Sequence, residues 1–105
     1  MRAWRAAALC VVLCAGQALA EEPVHISQKG KKFFPNEITI EAGTTIFIEN
    51  DDRVLHHAYV ESENFNFDSG EQPPGHRISI TFDKPGTYVV GCDIHPKMKL
   101  TVTVR

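Results

Sequence analysis

Apolar and polar positions alternate with a period of two along most of this 105-residue chain. Ile38 and Ile40 alternate with Thr39 and Glu41, and Ile46 and Ile48 fall in phase. Ile78, Ile80 and Phe82 stand against Ser79 and Thr81. Tyr88, Val90 and Cys92 share one parity, and Leu100, Val102 and Val104 oppose Thr101 and Thr103. Side chains along a strand point to opposite faces in turn, so each run predicts a half-buried strand. Turn signals separate the runs: Glu41-Ala42-Gly43, Asn50-Asp51-Asp52, Asp68-Ser69-Gly70, Pro73-Pro74-Gly75 and Lys84-Pro85-Gly86. No segment carries a helical period. Six or seven short strands in one small domain predict an all-β fold, a Greek-key antiparallel β-sandwich.

The first twenty residues have a different character. Arg2 and Arg5 precede an apolar stretch from Ala6 to Ala15, and Ala18-Leu19-Ala20 ends the segment with small residues at the two flanking positions. This pattern predicts a signal peptide over residues 1–20, cut after Ala20, and an exported domain over 21–105. The apolar run is too short for a membrane anchor, so no membrane insertion is expected after cleavage. Leu9 and Leu13 before Cys10 and Cys14 do not suit lipoprotein acylation. Cleavage would leave Cys92 as the one thiol of the exported domain, which then has no internal disulfide. A small core without that staple makes a bound metal a natural source of stability.

Cleavage also changes the charge. The whole chain has 11 Lys+Arg and 13 Asp+Glu; without Arg2 and Arg5 the balance is 9 against 13, or −4. Nothing there favours nucleic-acid binding. The cluster Lys29-Gly30-Lys31-Lys32 reads as a solvated turn.

The candidate chemistry lies in GTYVVGCDIHPKMKLTVTV, residues 86–104. A strand ends at Cys92 with its sulfur on the inward parity, and His95 and Met98 follow before the last strand. A thiol, an imidazole and a thioether therefore share one short loop. A fourth donor has to come from elsewhere, and the loop Asn50–Val60 carries a histidine pair, His56 and His57, at the mouth of another strand. One thiolate, two imidazoles and a weak thioether form the ligand set of a single type 1 (blue) copper ion. Zinc is the competing metal, but structural zinc sites use four Cys/His ligands without Met.

With these residues in view, the chain resembles the cupredoxins of the plastocyanin–amicyanin type. FFPNEITIEAGTTIFIENDD is similar to that family's Phe-x-Pro, strand, Gly turn, strand and Asn. The Cys-x-x-His-Pro-x-Met loop is as short as that of amicyanin. The resemblance spans nearly all of Val24–Arg105. It implies Cys92, His95 and Met98 as copper ligands, together with the histidine after the Asn50 loop. The family usually has Pro-His-Asn there, and this chain has Leu55-His56-His57. Counting from Asn50 gives His56, and inward parity with Ala58 and Val60 agrees. His57 is then an outer neighbour, or an alternative ligand if the register slips by one.

The resemblance implies a monomeric periplasmic one-electron carrier, not an enzyme. It would take an electron from a dehydrogenase, as amicyanin does in methylamine oxidation, and pass it to a c-type cytochrome. His95 would be the exit, inside an apolar surface of Val54, Leu55, Ile94 and Pro96. The alternative is copper handling without a dedicated redox partner, which uses the same ligands. A multicopper oxidase places His on both sides of its Cys, where this chain has Gly91 and Asp93. Asp51, Asp52 and Asp93 either steer a basic partner or simply occupy turns. His25 and His76 read as surface residues, and Phe33, Phe34, Phe47, Phe65, Phe67 and Phe82 as core or loop-packing aromatics.

Overall fold

The computed structural model describes residues 23–105, and the segment expected to be a signal peptide lies outside them. Among the described residues nine strands run in chain order: β1 Val24–Lys29, β2 Lys32–Phe34, β3 Glu37–Ile40, β4 Thr44–Asn50, β5 His56–Glu61, β6 Asn66–Gln72, β7 Arg77–Phe82, β8 Gly86–Gly91 and β9 Lys99–Val104. They form a four-stranded sheet, β2-β1-β4-β7, and a five-stranded sheet, β3-β9-β8-β5-β6. No helix occurs among the described residues.

The alternation seen in the sequence is the alternation of burial. Ile26, Ile46, Ile48, Ile80 and Phe82 project from one sheet, and Ala58, Val60, Tyr88, Val90, Leu100, Val102 and Val104 from the other, into one core. Two features depart from the expected antiparallel pattern. Strand β1 pairs with β4, and β3 with β9, in parallel. The chain changes sheets at Pro35-Asn36 and again around Ala42-Gly43. Alternation reports which face of a strand is buried and carries no information about its neighbour's direction.

Asp68-Ser69-Gly70, expected as a turn, lies inside strand β6. This is an edge strand, and its pairing with β5 shifts register between His57 and Tyr59. Gly70 absorbs the irregularity at a φ of 73°, where a side chain would be strained. The Ser69 hydroxyl accepts a hydrogen bond from the Ala58 amide at 2.9 Å, replacing a ladder bond that the bulge removes. Polar turn-formers therefore sit in a strand because the strand is an edge and is bulged.

Five of the six phenylalanines are at least half-buried, but Phe34 is 74% exposed, contrary to its expected packing role. Phe33 points the opposite way along β2 and is buried, so the pleat decides between them.

Leu100 is fully buried in β9, immediately after the loop that holds Met98. Leu100→Ala is expected to lower the unfolding free energy by about 2–5 kcal/mol, as deletions of large buried side chains do. Denaturant unfolding of the metal-free protein measures this, and a loss below about 1 kcal/mol would contradict the core assignment.

Candidate metal centre

At one end of the sandwich the ladder between β8 and β9 stops at the pair Gly91 and Lys99. Residues 92–98 form a seven-residue loop hung from that pair, and the Met98 amide donates to the His95 carbonyl at 2.9 Å to close its second half. Cys92 and Met98, at the two ends of the loop, are buried at 1% and 2% exposure, whereas His95 is half-buried. Gly91 lies close against its neighbour across the sheet. A Cβ at this position would stand 3.1 Å from the Tyr59 ring, which covers the glycine.

The other half of the centre comes from β5. His56, Ala58 and Val60 face the core with essentially no exposure, while His57 and Tyr59 face outward. His57 bonds through Nε2 to the Asp68 carboxylate, well outside the core. The Gly70 amide and then this His57 contact hold the Asp68 carboxyl below its ordinary value.

His56, Cys92 and His95 thus converge. Nδ1 of His56 lies 3.8 Å from the Cys92 sulfur and Nδ1 of His95 lies 3.9 Å from it. Donor atoms of the three residues all fall within 4.8 Å of one another. Metal–nitrogen and metal–thiolate bonds of about 2.0 and 2.3 Å that meet at about 120° separate their outer atoms by about 3.7 Å, so the spacing fits one ion bound by all three. Met98 is buried in the same loop. Soft sulfur and borderline imidazole donors suit copper. The set His56, Cys92, His95 and Met98 fits a single type 1 copper site.

Asp52 supports the site, a role its sequence position did not reveal. Its carboxylate contacts His56 Nε2 at 2.8 Å and accepts hydrogen bonds from the amides of Gly30 and Lys31, both at 2.9 Å. Holding Nε2 leaves Nδ1 to face Cys92. Gly30 and Lys31 form the two-residue tip between β1 and β2, both with positive φ (62° and 60°). For Lys31 this conformation costs roughly 1–2 kcal/mol, which the Asp52 bond helps to offset. Asn50 fixes the Asp52 loop. Its side chain donates to the carbonyls of Val54 at 2.9 Å and Gln72 at 2.8 Å, and accepts from the Asp52 amide at 2.9 Å. Asp51 accepts from the Ser27 hydroxyl at 2.6 Å.

Partial burial pushes the Asp52 carboxyl up, but the hydrogen bonds from His56, Lys31 and Gly30 outweigh it and hold it at about 2. At His95, burial comes first, followed by the charges of His56 and Lys31, and these push the imidazole below its ordinary value against the pull of Asp52. This favours the neutral ring, the form that binds a metal.

The family model of the cupredoxin-like domain matches residues 3–104. The chain belongs to the cupredoxin-like family. It is 32% identical over 83 residues to a chloroplastic plastocyanin from Physcomitrium patens, a match that covers 69% of this chain and 49% of that protein. The chain thus spans about half the length of that relative. It is 34% identical to a copper-containing nitrite reductase from Thermus scotoductus, with a TM-score of 0.74 over 83% of this chain and 23% of that one. Amicyanin from Paracoccus versutus superimposes with a TM-score of 0.73, covering 85% of this chain and 87% of that one at 24% identity, which shows a shared fold.

The lowered Asp52 value predicts an acid dependence. Its ionised form contributes stability that is fully present above about pH 4 and is lost as the pH falls towards about 2. Metal-free Asp52→Asn protein is expected to be less stable than the parent at pH 6, with the gap closing between about pH 4 and pH 2. Urea unfolding across that range measures it, and a gap independent of pH would contradict the Asp52 bonding.

Proposed function

We propose that this protein is a periplasmic one-electron carrier, monomeric, with His56, Cys92, His95 and Met98 as the ligands of one copper ion. The observation that carries this reading is the convergence of His56, Cys92 and His95 within 4.8 Å at the end of the sandwich, beside buried Met98. Bound there, copper supplies a one-electron couple between Cu(II) and Cu(I). The chain's own residues do the rest. Asp52 and the Asn50 loop hold the His56 ring, and the short loop between β8 and β9 holds the other three donors. Burial of Cys92, Met98 and His56 excludes water from the sulfur and from the inner imidazole. A frame restrained from both sides moves little when the charge at its centre changes, which favours electron transfer over metal release.

His95 is the half-buried member, with exposed Ile94 and Pro96 beside it and exposed Val54 on the neighbouring loop. This arrangement supports electron passage through His95 to a transiently docked protein. A dehydrogenase as donor, one acting on methylamine among the candidates, and a c-type cytochrome as acceptor are supported by the amicyanin-like length of the 92–98 loop. Export is supported by the character of residues 1–20. A carrier rather than an enzyme is supported by Gly91 and Asp93 on the two sides of Cys92, where a multicopper oxidase has histidines.

The test is the visible spectrum of residues 21–105 titrated with Cu(II), followed by reduction and reoxidation, with single variants alongside. The parent and His57→Ala are expected to turn intensely blue at one equivalent, bleach on reduction and recover on oxidation. Cys92→Ser is expected to stay colourless, and His56→Ala to lose most of the colour. A colourless or irreversibly reduced parent contradicts the carrier reading. Colour that survives in His56→Ala and disappears in His57→Ala would reverse the ligand assignment.

A further inference from the structure

Two concavities at the metal end differ in the charge of their lining. One, open and of about 480 Å³, has His95, Ile94, Pro96 and Met98 as its apolar part, rimmed by Lys31, Lys32 and Lys97. All three lysines are exposed, and among the described residues none makes a salt bridge. The other is polar, and in it Asp93 stands with Glu61 and Asp68. The acids nearest the lysines are already engaged within the protein, Asp51 by Ser27 and Asp52 by His56 and the hairpin tip.

Two points make the lysine rim more than surface scatter. Lys31 occupies the second position of the β1–β2 turn at a φ of 60°, where Gly or Asn would fit with less strain, and the Asp52 bond to its amide fixes it there. The rim is also opposite in sign to the chain as a whole. Of 11 Lys+Arg and 13 Asp+Glu, Arg2, Arg5, Glu21 and Glu22 precede residue 23, which leaves the described residues at −2.

We propose that Lys31, Lys32 and Lys97 form a cationic rim that docks a redox protein whose electron-transfer patch is ringed by carboxylates. The apolar centre of the face brings the two surfaces into contact, and the rim sets the on-rate and orientation. Asp51 and Asp52 lie beside the rim but are outnumbered by its three lysines, so the face keeps a positive excess. The inference rests on the electron-carrier reading and adds the charge of the partner.

The experiment uses copper-loaded protein in the Cu(I) state and two oxidants that differ in surface charge. One is mitochondrial cytochrome c, which is basic; the other is the same cytochrome with its lysines succinylated, which is acidic. Stopped-flow rates are read from low to high ionic strength. The acidic form is expected to react faster at low salt by about tenfold, and its advantage to vanish at about 0.5 M, where the screening length is only a few ångströms. The triple variant Lys31→Asn, Lys32→Gln, Lys97→Gln is expected to abolish the advantage. Lys84→Gln, in the distant turn before β8, is expected to leave it unchanged. Asn tolerates positive φ, so unaltered unfolding of the triple variant separates charge from structure. A faster reaction with the basic form, or an unchanged preference in the triple variant, overturns the rim while leaving the carrier reading standing. Blue protein that exchanges electrons with neither form in either direction, from Cu(I) to ferric or from ferrous to Cu(II), overturns both. Salt-sensitive binding to phosphatidylglycerol vesicles, with no advantage for the acidic cytochrome, would assign the face to a lipid surface and overturn the protein partner.

Discussion

Asp52 touches three parts of the molecule that are otherwise separate. It lies in the loop after β4, contacts the imidazole of His56 at the start of β5, and accepts both amides at the tip of the β1–β2 hairpin. A carboxylate that accepts three hydrogen bonds in a partly buried place is strongly held in its ionised form, and the value of about 2 reflects this. Without it, the His56 ring would lose its fixed orientation and the strained Lys31 turn would lose its anchor. The orientation of His56 and the placement of Lys31 both depend on this one carboxylate.

Electron transfer rewards this kind of construction. A copper ion that alternates between two valences prefers different surroundings in each, and a soft protein would let the ligands move every time. Here the donors are held from two directions. The 92–98 loop is short and hangs from the Gly91–Lys99 pair, with the Tyr59 ring over Gly91. The opposite wall is rigidified by Asn50, whose amide joins the end of β4 to the Val54 and Gln72 carbonyls and so ties one sheet to the other. Only His95 reaches towards the surface among the four proposed ligands, so burial insulates the site while leaving one exit.

Much of this could be read in the sequence because the relevant signals are local. Period-two alternation located the core strands, and counting from Asn50 together with parity separated inward His56 from outward His57. Cys92, His95 and Met98 lie within seven residues, so their spacing revealed them as a set. What escaped depends on chain neighbours that are distant in sequence. The parallel pairing of β1 with β4 and of β3 with β9 follows from the changes of sheet. Asp68-Ser69-Gly70 looks like a turn by composition and becomes a bulged edge strand only beside β5. Asp52 meets Gly30 and Lys31 across more than twenty residues, and no periodicity connects them. The lysine cluster was rightly legible as a turn, but its place beside His95 was not.

The Asp52 bond to His56 orients the ring without a metal. A long-range proton–nitrogen correlation spectrum of the metal-free protein at neutral pH tests this directly. His56 is expected to be locked as the Nε2–H tautomer, with a slowly exchanging proton donated to Asp52 and a bare Nδ1 facing Cys92. An Nδ1–H tautomer, or an averaged ring whose protons exchange freely, would contradict it.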